Sequence, residues 1–133
     1  MTRYVIRPDV AIRLARDEAV IRDEHELLAP TLLRSQTLSA LHEAVHRGEL
    51  EADAARERLA RVGGIKIRLL GDAVLRRRAW EIADTLGWAE TYAAEYVALT
   101  LLQGDALVTL DAGFARAVEG LVATAPVEAL ERP

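Results

Sequence analysis

Ala106-Leu107-Val108-Thr109-Leu110-Asp111 is a short apolar run that ends on a carboxylate, and its reading sets the fold class. The run is too short for a helix, contains Val and Thr, and follows the helix-stop signal Gln103-Gly104-Asp105, so residues 106–110 read as a buried strand. Ligands of open α/β sheets gather at the carboxyl ends of the strands, where an Asp can serve as a metal ligand or catalytic acid. The competing reading is local: Asp111 N-caps a helix over residues 112–118 by accepting a backbone N–H. For a lone Asp the cap is the favoured reading, and the odds shift only with the rest of the chain.

Upstream of this run, a helix is expected over residues 91–102. Another is opened by Asp72 and stopped at Gly87, carrying Leu75, Ala79, Ile82, Ala83 and Leu86, with Trp88 packing in the connection. Ile65-Lys66-Ile67-Arg68-Leu69-Leu70 alternates apolar and polar over its first five residues, the pattern of a strand. A helix over residues 51–61 is acidic at its start and basic toward its end, as the helix dipole prefers, and Gly63-Gly64 breaks it. Through Leu27-Leu28-Ala29-Pro30 the chain enters a helix over 31–47, with Leu32, Leu33, Gln36, Ala40, Leu41, Ala44 and Val45 near one face and Gly48 ending it.

At the amino end, Arg3-Tyr4-Val5-Ile6-Arg7 is β-rich and halts at Pro8, giving a first strand, and Asp9 is placed to cap a helix over 10–16. The charged stretch 17–26 reads as a loop. Beyond residue 118, Gly120 precedes a last strand over 121–125, and the tail 126–133 is expected to fray. Strands alternating with helices imply a mostly parallel sheet of about four to five strands, covered by helices on both faces. All 133 residues are expected in one domain.

Composition narrows the function classes. There are no cysteines, which removes disulfides and thiolate metal sites and suits a reducing cytoplasm. No apolar run approaches the roughly 20 residues that span a bilayer, and the opening Met1-Thr2-Arg3-Tyr4 lacks a signal-peptide core, so a cytoplasmic protein without membrane contact is expected. A formal charge of -4, from 17 basic and 21 acidic residues, argues against broad wrapping of nucleic acid while leaving a local RNA groove open. Hydrophobic residues make up 51% of the chain and aromatics 5%, which predicts an aliphatic core of helices on a sheet.

Four blocks then carry a resemblance. Tyr4-Val-Ile-Arg-Pro-Asp-Val-Ala11, Leu27-Leu-Ala-Pro-Thr-Leu-Leu-Arg-Ser-Gln36, Thr91-Tyr-Ala-Ala-Glu-Tyr-Val-Ala-Leu99 and Leu107-Val-Thr-Leu-Asp111 resemble, in order, the signature blocks of PIN-domain proteins. They are most similar to the toxin component of bacterial virulence-associated-protein toxin-antitoxin pairs. The resemblance implies a PIN-like three-layer α/β/α fold, a homodimer, an antitoxin-like protein partner, and metal-dependent ribonuclease chemistry with Mg or Mn. Such chemistry needs clustered carboxylates, because hard divalent cations prefer oxygen ligands and the metal activates water and steadies the phosphate.

The four positions that the resemblance assigns to acids hold Arg7, Gln36, Ala93 and Asp111, and only Asp111 is an acid. A guanidinium stays charged, so Arg7 sets a fixed cation where the family holds a metal. A pair about 4 Å apart is worth roughly 4 kcal/mol at an effective dielectric of about 20, before desolvation, so Arg7 is expected to pair with Asp111. Gln36 keeps shape and hydrogen bonding without charge, and Ala93 removes a ligand. Asp9 is the possible substitute acid, although capping accounts for it. Glu95, about 200° around the helix from Ala93, is sent toward the opposite face. Glu43 lies about 10 Å along the axis from Gln36, too far to share an ion directly. The resulting expectation is a toxin-like ribonuclease homologue with an impaired site, needing no cofactor and acting by binding a partner. Its competitor is an active Mg- or Mn-dependent endoribonuclease with a rearranged site of Asp111, Asp9 and Glu95.

Other features have plainer readings. His42 and His46 share the i, i+4 spacing and Glu43 follows His42 in H-E-x-x-H order, but no third ligand is apparent for them or for His25, so an exposed helix face is favoured. Arg76-Arg77-Arg78 reads as a solvated helix face. Tyr92, Tyr96, Leu99 and Leu102 fall near one stripe, which is expected to help form a dimer.

Overall fold

In the computed structural model, which describes residues 1–132, the elements are β1 (Thr2–Ile6), α1 (Pro8–Arg16), β2 (His25–Pro30), α2 (Leu33–His46), α3 (Ala52–Gly64), β3 (Ile67–Leu70), α4 (Ala73–Leu86), α5 (Tyr92–Gln103), β4 (Ala106–Val108), α6 (Ala112–Val118) and β5 (Thr124–Ala125), followed by a 3-10 turn over Val127–Ala129. The five strands form one parallel sheet in the order β3-β2-β1-β4-β5. Helices α1, α2 and α3 pack together, while α4 pairs with α5, and α5 lies against β1, β2 and β4. This is a three-layer α/β/α arrangement.

The sheet centre follows from sequence. β1 and β4 are apolar runs, and in the register Tyr4↔Ala106, Val5↔Leu107, Ile6↔Val108 they bury Val5, Ile6, Leu107 and Val108 completely. Central parallel strands are covered on both faces, so their sequences need no alternation. Gly104 lets the end of α5 meet β1: a Cβ there would lie 2.9 Å from the Val5 side chain and 3.2 Å from Thr100 Cα.

Locally specified ends match expectation. Asp72 caps α4, accepting a 2.8 Å bond from Leu75 N–H, and Gly87 closes the helix at φ 70°. Helix α6 spans the expected residues, and α5 is displaced by one residue from its expected range.

Several expectations are corrected. Residues 25–30, read as loop and helix entry, form β2 between β1 and β3. Leu27, Leu28 and Ala29 are buried, and such a run looks alike as strand or buried helix until its neighbours exist. Pro30 is tolerated at the last strand position, and Thr31 N–H continues the ladder to Leu70 O at 3.1 Å. Helix α2 consequently starts only at Leu33. Helix α1 starts at Pro8 with Arg7 at the cap position, because a proline at the first position loses nothing by lacking an N–H. Asp9 is thus inside the first turn and is not the cap. Helix α3 continues through Gly63 and Gly64, neither of which adopts the positive φ that ends a helix. β3, β4 and β5 are all shorter than their apolar runs.

The tail is also docked through residue 132. Val127 on the 3-10 turn and Leu130 just after it are 3% and 0% exposed. Ile21 and Glu131 form an antiparallel bridge, and Arg132 N–H donates to Val20 O at 2.7 Å. Apolar burial holds this segment despite its mixed composition. The expectation for Pro133 lies outside the described residues. Among the described residues no helix is long and apolar enough to cross a membrane.

Candidate functional site

The carboxyl ends of β1 and β4 bring together two loops that are about a hundred residues apart in sequence. Arg7, just past β1, donates its backbone N–H to Val108 O at 3.2 Å, and its own carbonyl accepts from Val10 and Ala11 as α1 begins. Asp9 joins the loops: Oδ1 accepts from Val10 N–H at 2.8 Å and Oδ2 from Leu110 N–H at 3.1 Å. Asp111 is the N-cap of α6, with Oδ1 accepting from Phe114 N–H at 3.1 Å, as the local reading expects. Because β4 stops at Val108, Asp111 stands on the connecting loop and not on the strand.

The expected ion pair between Arg7 and Asp111 does not form. Among the described residues, no acid lies within 4.0 Å of the Arg7 guanidinium. Backbone N–H groups already engage oxygens of both Asp9 and Asp111, so the guanidinium takes aromatic faces instead. Its Cζ lies 4.3 Å from the centre of the Phe114 ring and 4.8 Å from that of Tyr96, both within cation-π range. Phe114 in turn stacks on Trp88, with centres 5.8 Å apart and planes inclined 27°. The Tyr96 hydroxyl donates to Gln36 Oε1 at 2.7 Å. A ladder Trp88, Phe114, Arg7, Tyr96, Gln36 therefore links the α4–α5 connection, α6, the β1–α1 junction, α5 and α2.

Burial governs the electrostatics here. Desolvation lowers the Arg7 pKa, while Tyr96, Asp9 and Asp111 pull it upward. The group stays cationic, since guanidinium ionisation lies far above neutrality. One of its nitrogens, Nη1, is buried without a hydrogen-bond partner. Burial drives the Tyr96 hydroxyl pKa well upward against the opposing influence of Arg7, so it is a neutral donor.

The other positions divide. Gln36 joins the cluster as an acceptor, and Ala93 is half-buried at the start of α5 with nothing to coordinate. Glu95 is half-buried: burial raises its carboxyl pKa, and the charge of Arg76 opposes this. Among the described residues, no three His, Asp or Glu side chains converge as a metal site would require. His42, His46 and Arg76 to Arg78 lie on exposed helix faces. The proposed α5 stripe is split, since Tyr96 and Leu99 are buried within the chain while Tyr92 and Leu102 are 52% and 44% exposed.

Sequence reasoning passed over Phe114, read Trp88 only as packing, and placed Tyr96 on the stripe expected to form a dimer. The available signal was scarcity: the chain has one Phe and two Trp, and the only Phe stands three residues after Asp111.

No family model and no curated protein sequence matches this chain. Among solved structures it is similar to PAE2754 from Pyrobaculum aerophilum, at 23% identity and a TM-score of 0.73, over 96% of this chain and 90% of that one. It is also similar to VapBC2 from Rickettsia felis bound to a DNA fragment from their promoter, at 11% identity and a TM-score of 0.56, over 93% of this chain and 98% of that one. The layer order, the parallel five-stranded sheet and these two likenesses identify the architecture as a PIN-like α/β/α fold.

Proposed function

We propose that this chain is a single-domain, cytoplasmic PIN-like protein of toxin-antitoxin type, with an impaired metal site, that works by binding an antitoxin-like protein. The observation that carries this reading is the Arg7 guanidinium held between Tyr96 and Phe114 beside Asp9 and Asp111. Mg²⁺ dehydrates reluctantly and is usually held through carboxylates. Here one acid of the four assigned positions remains, a permanent cation stands beside it, and the nearest further acid is already bonded to two backbone N–H groups. Such a donor set does not suit a hard divalent cation, and no hydrolytic step is derived through one.

Partner binding is the function that survives this loss, because it depends on the fold's surface and not on its carboxylates. A homodimer is part of the proposal, supported by Trp80 on α4 and Tyr92, Leu101 and Leu102 on α5, which leave apolar surface exposed. A monomer in light scattering at high concentration would remove that part.

The test of the whole compares wild type, Asp111→Ala and the triple variant Arg7→Asp, Gln36→Glu, Ala93→Asp on one RNA substrate, with and without Mn²⁺, alongside calorimetric Mn²⁺ titration. Wild type is expected to neither bind Mn²⁺ tightly nor cleave, while the triple variant gains a metal site. Mn²⁺-dependent cleavage by wild type that disappears in Asp111→Ala overturns the proposal in favour of a rearranged ribonuclease site.

A further inference from the structure

β3 is an edge strand with β2 as its only ladder neighbour, and none of its four residues is fully buried. Ile65 just before it and Ile67 within it line two adjoining grooves, of about 1060 Å³ and about 280 Å³, and Leu69 lines the smaller. The smaller groove is walled by Leu59, Val62 and Gly63 of α3. A Cβ at Gly63 or Gly64 would meet no atom within 4 Å, so the space beside that wall is open. The result is a small, mainly apolar groove between β3 and α3, beside an open row of main-chain donors and acceptors.

Charge selects the occupant. Lys66 and Arg68 occupy the alternate positions of the edge, and Lys66 has no acid within 4.0 Å among the described residues. Arg68 meets only Glu26, at 3.5 Å, and stays 56% exposed. Like charges placed opposite each other across strands are destabilising, so a second copy of β3 suits this edge poorly. An acidic strand suits it well. We propose that the β3 edge is the docking site for an extended segment of a protein partner, alternating apolar and acidic residues, that adds to the sheet as a sixth strand.

In that arrangement the partner's main chain bonds the free edge, its apolar residues enter the groove and its acids face Lys66 and Arg68. The inference rests on the partner-binding reading above and supplies that partner's chemistry. The probe is a short synthetic peptide of alternating Val and Glu carrying a fluorophore, titrated with the full chain and followed by anisotropy. Two control peptides replace Glu by Lys, or methylate every second amide nitrogen. Saturable binding of the Val/Glu peptide alone is expected. Lys66→Glu should weaken it by about two- to fivefold and improve binding of the Val/Lys peptide, the scale of an exposed charge pair. Absence of saturable binding, equal binding of the methylated peptide, or indifference to Lys66→Glu overturns the proposal. So does self-association of the chain that the Val/Glu peptide competes away, which would assign the edge to a second copy. RNA cleavage measured on the same preparation keeps the two readings separable, since metal-dependent cleavage removes the functional proposal without bearing on the peptide result.

Discussion

A double-mutant cycle on Arg7 and Phe114 tests whether the aromatic clamp stabilises the fold. Both rings lie within reach of the guanidinium, at 4.3 and 4.8 Å. A cation-π contact is worth about 0.5–1 kcal/mol when exposed and about 2 kcal/mol when desolvated, so the half-buried Arg7 should gain about 1 kcal/mol per ring. The buried, unpartnered Nη1 opposes this with a desolvation cost of about 1–3 kcal/mol. Arg7→Met alone therefore changes stability by a sum near zero and decides nothing. In a cycle with Phe114→Leu, the Nη1 relief and the altered field at Asp9 and Asp111 enter both arms and cancel, leaving the ring contact. Urea denaturation of the four proteins should return a coupling of about 1 kcal/mol, the double variant losing less than the sum of the singles. With about 0.28 kcal/mol/K of unfolding entropy for 133 residues, the same coupling is about 3–4 °C in Tm. A coupling below about 0.3 kcal/mol, the scatter of non-interacting sites, would refute the clamp as a stabilising device.

Asp111→Ala should lower stability by about 1 kcal/mol through loss of the α6 cap, read by urea denaturation, and an unchanged midpoint would mean the cap contributes nothing. Gly63 inside α3 and Gly104 just past the end of α5 should respond oppositely. Gly63→Ala, with open space and ordinary φ, should stabilise by about 0.5–1 kcal/mol, whereas Gly104→Ala should destabilise by about 1–3 kcal/mol through collision with Val5 and Thr100, both read from thermal melts. Burial holds the Glu95 carboxyl above its ordinary range, with Arg76 opposing. The folded state then binds that proton more tightly than the unfolded chain. Stability accordingly falls as pH rises from the ordinary glutamate range through the raised value, and the loss is complete above it. Glu95→Gln should therefore melt higher than wild type at neutral pH and converge with it in acid; a gap that widens in acid would show the opposite linkage.

What the sequence by itself determined is whatever a few neighbouring residues decide. Asp72 and Gly87 bracket α4 because a cap is made by a side chain and an N–H three residues away, and a left-handed stop needs only a glycine. Asp111 was legible as the α6 cap for the same reason, and β1 and β4 were legible because two short β-rich runs between helix signals have few other homes. Tertiary structure decided the rest. Leu27-Leu28-Ala29-Pro30 becomes strand because β1 and β3 flank it, and nothing within the run distinguishes that outcome from a helix entry. Leu130 is buried because strands and helices elsewhere leave it a place, which its mixed-composition tail does not announce. The identity of the residue at position 7 was plain from the start, but its partner was not. A guanidinium can be satisfied by a carboxylate or by a ring face, and the choice was made by Phe114 and Tyr96, delivered from helices some ninety to a hundred residues away, while backbone N–H groups engaged the acids expected to pair with it.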